Sequence, residues 1–367
     1  MKSIRLFTAL FGVVFLFSCQ KNSNDPQPTP VPPVVTPLYF PPLSGTDWQT
    51  TTAASLGWNE TMLNNDLYPY LQLKNTKAFI ILKNGKIVAE KYFGTFTADS
   101  NWYWASAGKS LTSFLTGLAQ EEGILNINNK TSQYLGTGWT SEPLAKENLI
   151  TLRHQLTMTT GLDDGVPDDD CTIPSCLIYK ADAGNRWAYH NAAYTLLYKV
   201  IENASGQSYN NYFNTKIRSR IGMDGLWFNS GYQNIYYSNA RSMARFGLLV
   251  LNKGKWDQTP IMTDSNYFNS MVNSSQNINP SYGYLWWLNG KASHMLPTSQ
   301  IVFNGSLIPT APADLFAALG KNDQKVYVVP SQKLVVIRMG ESAGNVQLAL
   351  SSFDTELWGK LKTIIGY

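Results

Sequence analysis

Two hairpins and a series of amphipathic helices account for most of the hydrophobic patterning in this chain. Ala78-Phe79-Ile80-Ile81-Leu82 and Ile87-Val88-Ala89-Glu90-Lys91-Tyr92 flank Asn84-Gly85, a dipeptide that supplies the positive φ values of a tight turn. Residues 325–330 and 334–339, joined through 331–333, repeat that arrangement near the C-terminus, and 284–288 reads as a further strand. The apolar run from Leu111 to Leu118 predicts a helix from about Ser106 to near Gly123. Helical spacing also covers 151–159, 191–204, 207–220 and 238–252, and 354–365 closes the chain. Strands near both ends with helices between them predict an α/β (α+β) protein. One antiparallel sheet is built from both termini and accompanied by a helical region.

The first 42 residues read differently. Lys2 and Arg5 precede an apolar run from Leu6 to Phe17, which is short of the ~20 residues that span a bilayer comfortably. Leu16-Phe17-Ser18-Cys19 resembles a bacterial lipobox, which makes 1–19 a lipoprotein signal peptide and Cys19 the lipidated residue. An ordinary secretory signal or a short anchor is the plainer alternative. Residues 20–42 contain Pro26, Pro28, Pro30, Pro32, Pro33 and Pro37 and read as an extended linker. The expected location is the bacterial cell envelope, periplasmic or surface-facing, with membrane contact through the lipid alone.

Residues 43–367 have the composition of one globular unit. The chain is 44% hydrophobic and 15% charged, and its 29 basic against 25 acidic residues leave +4 without clustering, which excludes a nucleic-acid partner. With Cys19 assigned, Cys171 and Cys176 remain as a small-loop disulfide or two free thiols. No Cys/His set completes a zinc site, and neither metal nor cofactor is expected.

The candidate chemistry centres on Trp104-Ala105-Ser106-Ala107-Gly108-Lys109-Ser110. On a helix Ser106 and Lys109 share a face one turn apart, and free N–H groups in the first turn favour developing negative charge. A lysine whose pKa is lowered by burial or by a second cation can take the serine proton, which makes a nucleophile with its base. Ala107-Gly108-Lys109-Ser110 also imitates the end of a phosphate-binding loop. Tyr103 stands where that loop needs glycine, and Trp102 and Trp104 flank it, so a nucleotide is excluded.

The wider chain resembles the serine β-lactamase and penicillin-binding-protein superfamily, particularly its branch of class C β-lactamases, esterases and nylon-oligomer-type amide hydrolases. The resemblance rests on Ser106-x-x-Lys109, on 150–162 (Ile-Thr-Leu-Arg-His-Gln-Leu-Thr-Met-Thr-Thr-Gly-Leu), on 184–191 around Tyr189-x-Asn191, and on 238–247. It implies an antiparallel sheet flanked by helices, plus an all-helical lobe, with the active site between them. It also implies that Tyr189 shares proton transfer with Lys109 and that Asn191 bonds substrate or lysine. The family takes its second oxyanion donor from the residue after the glycine of a Lys/His-Thr/Ser-Gly motif. Ala318-Leu319-Gly320 occupies that place, which makes Gly320 and Lys321 substrate-binding candidates. Other Tyr-x-Asn matches begin at Tyr209, Tyr232, Tyr237 and Tyr267, but only Tyr189 lies between a glycine-containing turn and an amphipathic helix.

Ala and Leu replace the side chains that help hold a substrate carboxylate in β-lactamases and D-Ala peptidases. That departure favours an exported serine hydrolase of small ester, amide or peptide substrates. A D-Ala-D-Ala carboxypeptidase or class C-like β-lactamase is the nearest alternative, with Lys321 or Arg338 supplying the charge. A non-catalytic binding lipoprotein on the same fold is an alternative of another class. His154 reads as a structural histidine, and His190 as a neighbour of Tyr189 whose side chain diverges from it. His294 lacks a nearby carboxylate for a triad. Asp163, Asp164, Asp168, Asp169 and Asp170 read as a solvated acidic loop, and Trp102, Trp104, Trp286 and Trp287 as core.

Overall fold

The computed structural model describes residues 37–345 and 350–367. The signal segment, Cys19 and linker positions 20–36 lie outside the described residues. The strands of the two larger sheets, in chain order, are β1 (Thr76–Lys83), β2 (Lys86–Tyr92), β3 (Trp102–Tyr103), β4 (Leu226–Ser230), β5 (Gln233–Ser238), β6 (Trp287–Leu288), β7 (Phe316–Gly320), β8 (Gln324–Val329) and β9 (Leu334–Gly340). The helices that position the site are α1 (Gly108–Glu121), α2 (Leu152–Leu156), α3 (Asn191–Thr195), α4 (Leu197–Ser205), α5 (Ala240–Leu251) and α6 (Ser352–Ile365).

Six strands form one antiparallel sheet in the order β2-β1-β9-β8-β7-β6. Both predicted hairpins are present. Lys83 pairs with Lys86 across Asn84 and Gly85, whose φ values of 52° and 82° are those the turn requires. The pairing of β1 with β9 joins the two ends of the globular part, as the sequence pattern implies.

Every position of β8 and β9 is buried, so the sheet centre is covered on both faces. Lys325 and Tyr327 of β8 reach Asp354 on α6, at 2.9 and 2.6 Å. The intervening Val326 faces the other way, toward Gly247 of α5, where an added Cβ would stand 3.2 Å from Val326 Cγ1 and 2.5 Å from Val335 Cγ1. Glycine at 247 therefore lets α5 lie directly on the sheet. The helical region beyond α1 carries its own small core of Trp139, Ile150, Leu162, Leu177, Ala192 and Ala193.

Several elements depart from the sequence reading. The strand expected at 284–288 is reduced to Trp287–Leu288, because Leu285 takes φ 58° and Gly283 N donates to Trp286 O in a turn. The helix expected over 151–159 ends at Leu156, two residues before Met158 turns left-handed at φ 58°. A tightened turn at Leu196 (ψ −14°) divides 191–204 into α3 and α4. The stretch 207–220 runs through a wide turn at Asn214–Arg218. The hairpin β4–β5, which with β3 makes a second sheet, has no counterpart in the sequence reading.

Residues at the C-terminal end of the expected linker lie against the globular part. Tyr39 N donates to Asn84 O (2.9 Å), Phe40 packs edge-on to Trp256, and Pro42 O accepts from Arg245 Nη2 (2.7 Å).

Candidate active site

Ser106 stands at a corner between a strand and a helix. Trp104 anchors the approach: it is fully buried, its N–H donates to Tyr236 O (2.8 Å) and its indole N–H to Ser238 Oγ (2.8 Å). Ala105 then adopts φ 47°, a left-handed conformation that costs a residue with a Cβ about 1–2 kcal/mol. Backbone strain of this kind persists where the surroundings over-determine it. Ser106 lies in a single 3₁₀ turn, Ala105–Ala107, and not in the first turn of the α-helix as the sequence suggested. The α-helix begins at Gly108 and brings Lys109 back beneath the hydroxyl.

Lys109 Nζ is 2.9 Å from Ser106 Oγ and 2.9 Å from Asn191 Oδ1, donating to both when it is charged. The side chain is buried, and loss of solvent lowers its pKa from 10.5 to about 7, with Asp170 and Asp169 pulling the other way. Near neutral pH the amine is therefore divided between its two forms. The neutral form can accept the Ser106 proton through the same 2.9 Å contact.

Asn191 opens α3 and bridges Lys109 to Asp169, whose Oδ2 accepts from Asn191 Nδ2 at 3.2 Å. Tyr189, two residues earlier, is 8% exposed, stacks on Trp287 at 5.7 Å and lies under Lys109 Nζ, 4.9 Å from the ring centroid. Its hydroxyl makes no hydrogen bond within normal distance and angle limits, yet Ser106 is near enough to favour its ionised form. Burial dominates and pushes the phenol well above its ordinary value, so it holds its proton.

Gly320 ends β7 against the Ser106 turn. A Cβ there would stand 2.5 Å from Trp104 O, 2.9 Å from Ala107 N and 3.2 Å from Ser106 N. Only glycine lets the strand pass this close. Ala318 and Leu319 are buried within the sheet, while Lys321 is exposed and lines the same cleft as Ser106. The cleft encloses about 530 Å³ and also exposes Tyr194, Asp169, Asp170 and Asn322.

Of the two cations open to the carboxylate-binding alternative, Lys321 and Arg338, Arg338 does not line the cleft. It is fully buried, and its guanidinium donates to Thr76 Oγ1 and to the carbonyls of Lys74, Asn322, Asp323 and Glu341. Burial lowers its pKa only to about 10, so it remains a cation committed to the protein.

The acidic loop also departs from the solvated reading. Asp163 pairs with Lys180 and Asp164 with Arg186, Asp170 Oδ2 accepts from Gln233 Nε2, and Asp169 and Asp170 line the cleft. The Cys171–Cys176 disulfide follows the loop directly, and Ala192 N donates to Asp169 O (2.9 Å). Carboxylate oxygens of Asp168, Asp169 and Asp170 lie within 4.8 Å of one another, but two of the three already serve Gln233 and Asn191.

The histidines take no part in a triad. His154 accepts from Thr151 N at 3.1 Å in a capping box, and His294 Nδ1 meets Gly305 O. His190 is 1% exposed, and burial lowers its pKa to about 4.

Tyr194 is the residue that pattern reading placed in an amphipathic helix and missed as a site residue. Lys109 Nζ lies 3.9 Å from its ring centroid. Its position three residues after Asn191, on the same helix face, is the signal that could have found it.

Comparison with known proteins places this geometry. The Beta-lactamase family model matches residues 76–351. An uncharacterized protein of Alkalihalophilus pseudofirmus is 23% identical over 304 residues, covering 72% of this chain and 83% of that protein. Penicillin-binding protein 4* of Bacillus subtilis is 30% identical over 136 residues, only 33% of this chain and 29% of that one. Among solved structures, a Bacillus anthracis protein provisionally assigned as a 6-aminohexanoate-dimer hydrolase superimposes with a TM-score of 0.66 at 19% identity, over 87% of both chains. A penicillin-binding protein from Bacillus halodurans gives 0.58 at 16% identity, over 79% of this chain and 98% of its own. The family model spans most of the chain, and the chain belongs to the β-lactamase family, class C and penicillin-binding-protein-like.

Proposed function

We propose that this protein is an exported serine hydrolase that cleaves neutral esters or amides through an acyl-enzyme on Ser106. The observation that carries the proposal is a buried lysine amine, with a pKa near 7, 2.9 Å from a serine hydroxyl in an open cleft.

The neutral Lys109 amine takes the Ser106 proton as Oγ attacks the carbonyl carbon. The oxyanion is received by the N–H groups of Ser106 and of Lys321, the residue that follows Gly320 where β7 abuts the Ser106 turn. Tyr189 holds its proton because of burial, which suits it to donate to the departing oxygen or nitrogen and to recover a proton from the Lys109 ammonium. Water then attacks the ester carbonyl by the reverse sequence and frees the acid.

A fluorophosphonate probe followed by peptide mass analysis tests this. The adduct should sit on the peptide holding Ser106 and be absent from Ser106→Ala; label that persists in that variant overturns the assignment. Export and lipid attachment rest on residues 1–19. In a bacterial host the mature chain should begin at an acylated Cys19 and partition into detergent, and a full-length cytosolic product would contradict this.

A further inference from the structure

Two consecutive residues beside the proposed oxyanion donor are left-handed: Asn322 at φ 58° and Asp323 at φ 59°. Asn and Asp tolerate that region better than other side chains, but a pair in series does not hold itself. The turn they form follows Gly320 and Lys321 directly and connects β7 to β8.

Two fully buried side chains grip this turn from behind. Arg338 Nη1 donates to Asn322 O and Asp323 O, both at 2.9 Å. Its Nη2 donates to Lys74 O (2.6 Å) and Glu341 O (2.8 Å), and its Nε to Thr76 Oγ1 (3.1 Å). One planar fork therefore ties the turn to the start of β1 and the end of β9. Gln324 Nε2 donates to Asn322 O (3.0 Å) and Gly340 O (2.6 Å), while its Oε1 accepts from Gly340 N (3.1 Å). The charge is balanced nearby: Asp323 meets Lys325 at 3.2 Å, and Lys325 meets Asp354 at 2.9 Å. On the cleft side, Asn322 Nδ2 donates to Tyr103 Oη (2.7 Å).

We propose that Arg338 and Gln324 are positioning residues for the second oxyanion donor: by fixing the carbonyls of Asn322 and Asp323 they hold the Lys321 N–H in place beside that of Ser106. The inference rests on the acyl-enzyme reading above. Oxyanion donors act through fixed geometry, and a misplacement of about 1 Å can cost ~10² in rate. A fork that satisfies four carbonyls sets such a position; a lysine ammonium on a flexible stem, with three donors at one point, does not. Neither residue touches substrate.

The test is the time course of labelling by a fluorescent alkyl fluorophosphonate, in which Oγ bonds to phosphorus and fluoride leaves. Its final extent counts competent sites, and its second-order rate constant reports stabilisation of the phosphoryl oxygen in the oxyanion hole. Arg338→Lys, and independently Gln324→Met in case the first variant does not fold, should reach an extent that matches their folded fraction. Their rate constants should fall about 10- to 100-fold. The KM for a p-nitrophenyl ester should change little while kcat falls. A wild-type rate constant in the folded Gln324→Met variant, or a loss confined to the extent, overturns the clamp and leaves the acyl-enzyme reading standing. A wild type that takes no label at Ser106 overturns both.

Discussion

Lys109 Nζ sits over the ring of Tyr194, 3.9 Å from its centroid, nearer than it sits to the ring of Tyr189 at 4.9 Å. Desolvation lowers the lysine pKa to about 7, whereas an aromatic face favours the ammonium. Tyr194 therefore limits how far burial can depress the base. With Lys109 as the proposed base the neutral amine is the reactive form, so the rate of Ser106 labelling should rise with pH through about 7 and level off above it. Tyr194→Leu removes a stabiliser of the cation and should move that midpoint down by about one pH unit, equivalent to ~1.4 kcal/mol. Tyr194→Phe should keep it. A profile flat between pH 5.5 and 9 in the wild type would remove Lys109 from the role of base.

Tyr189 and Tyr237 both line the cleft, but only Tyr189 is in contact with Lys109 and near Ser106. Tyr189→Phe should lower ester turnover by at least ~10², the usual loss on removing a general acid or base. Tyr237→Phe should cost far less. The reverse order of severity, measured as kcat/KM on one ester, would transfer the role to Tyr237.

Gly320→Ala tests the contact between β7 and the nucleophile turn. The new methyl would meet backbone atoms of Trp104 and Ala107 at 2.5 and 2.9 Å, and backbone cannot swing aside as a side chain can. The variant should lose at least ~10² in acylation rate, comparable to removal of one oxyanion donor. Activity within a few-fold of wild type would show that the strand and the turn separate at no cost, and that the oxyanion site lies elsewhere.

Substrate choice follows from what faces the cleft. Ala318 and Leu319 are interior, and Arg338 is committed to carbonyls, which leaves the exposed Lys321 amine as the cation beside the third motif. A buried carboxylate left without a partner costs roughly 3 kcal/mol or more. The purified protein should turn over p-nitrophenyl butyrate with a kcat/KM at least about a hundredfold above that for nitrocefin. Efficient nitrocefin hydrolysis that disappears in Lys321→Ala would assign the carboxylate site to Lys321 and reverse the preference.

Both hairpins and the Ser106–Lys109 pairing were legible because each depends on residues close in sequence; the sheet that joins the two ends of the globular part followed from the hairpins it is assembled from. Asn84-Gly85 states its own turn, and an i, i+3 spacing states its own contact. The cleft walls were not legible. Asp169 and Asp170 lie in a run of aspartates that composition alone assigns to solvent. What holds them against the cleft is a set of bonds to Asn191, Ala192 and Gln233, the last of them 63 positions from Asp170. Leu285 has the side chain of a strand residue, but its left-handed backbone ends the strand that Tyr284-Leu285-Trp286-Trp287-Leu288 promised. Arg338 looked like a spare cation because sequence shows its charge and not the carbonyls that surround it.

The adjacency of β1 and β9 bears on when the proposed activity can first exist. The nucleophile turn is made early in synthesis, but the strand that carries Gly320 and the fork of Arg338 emerges only after most of the chain. β1 itself stays an open edge until β9 arrives. Such long-range pairing is slow to form. A ribosome-bound chain thus holds Ser106 and Lys109 before Gly320 can lie beside them, and the proposed acylation waits until the last strands have been delivered.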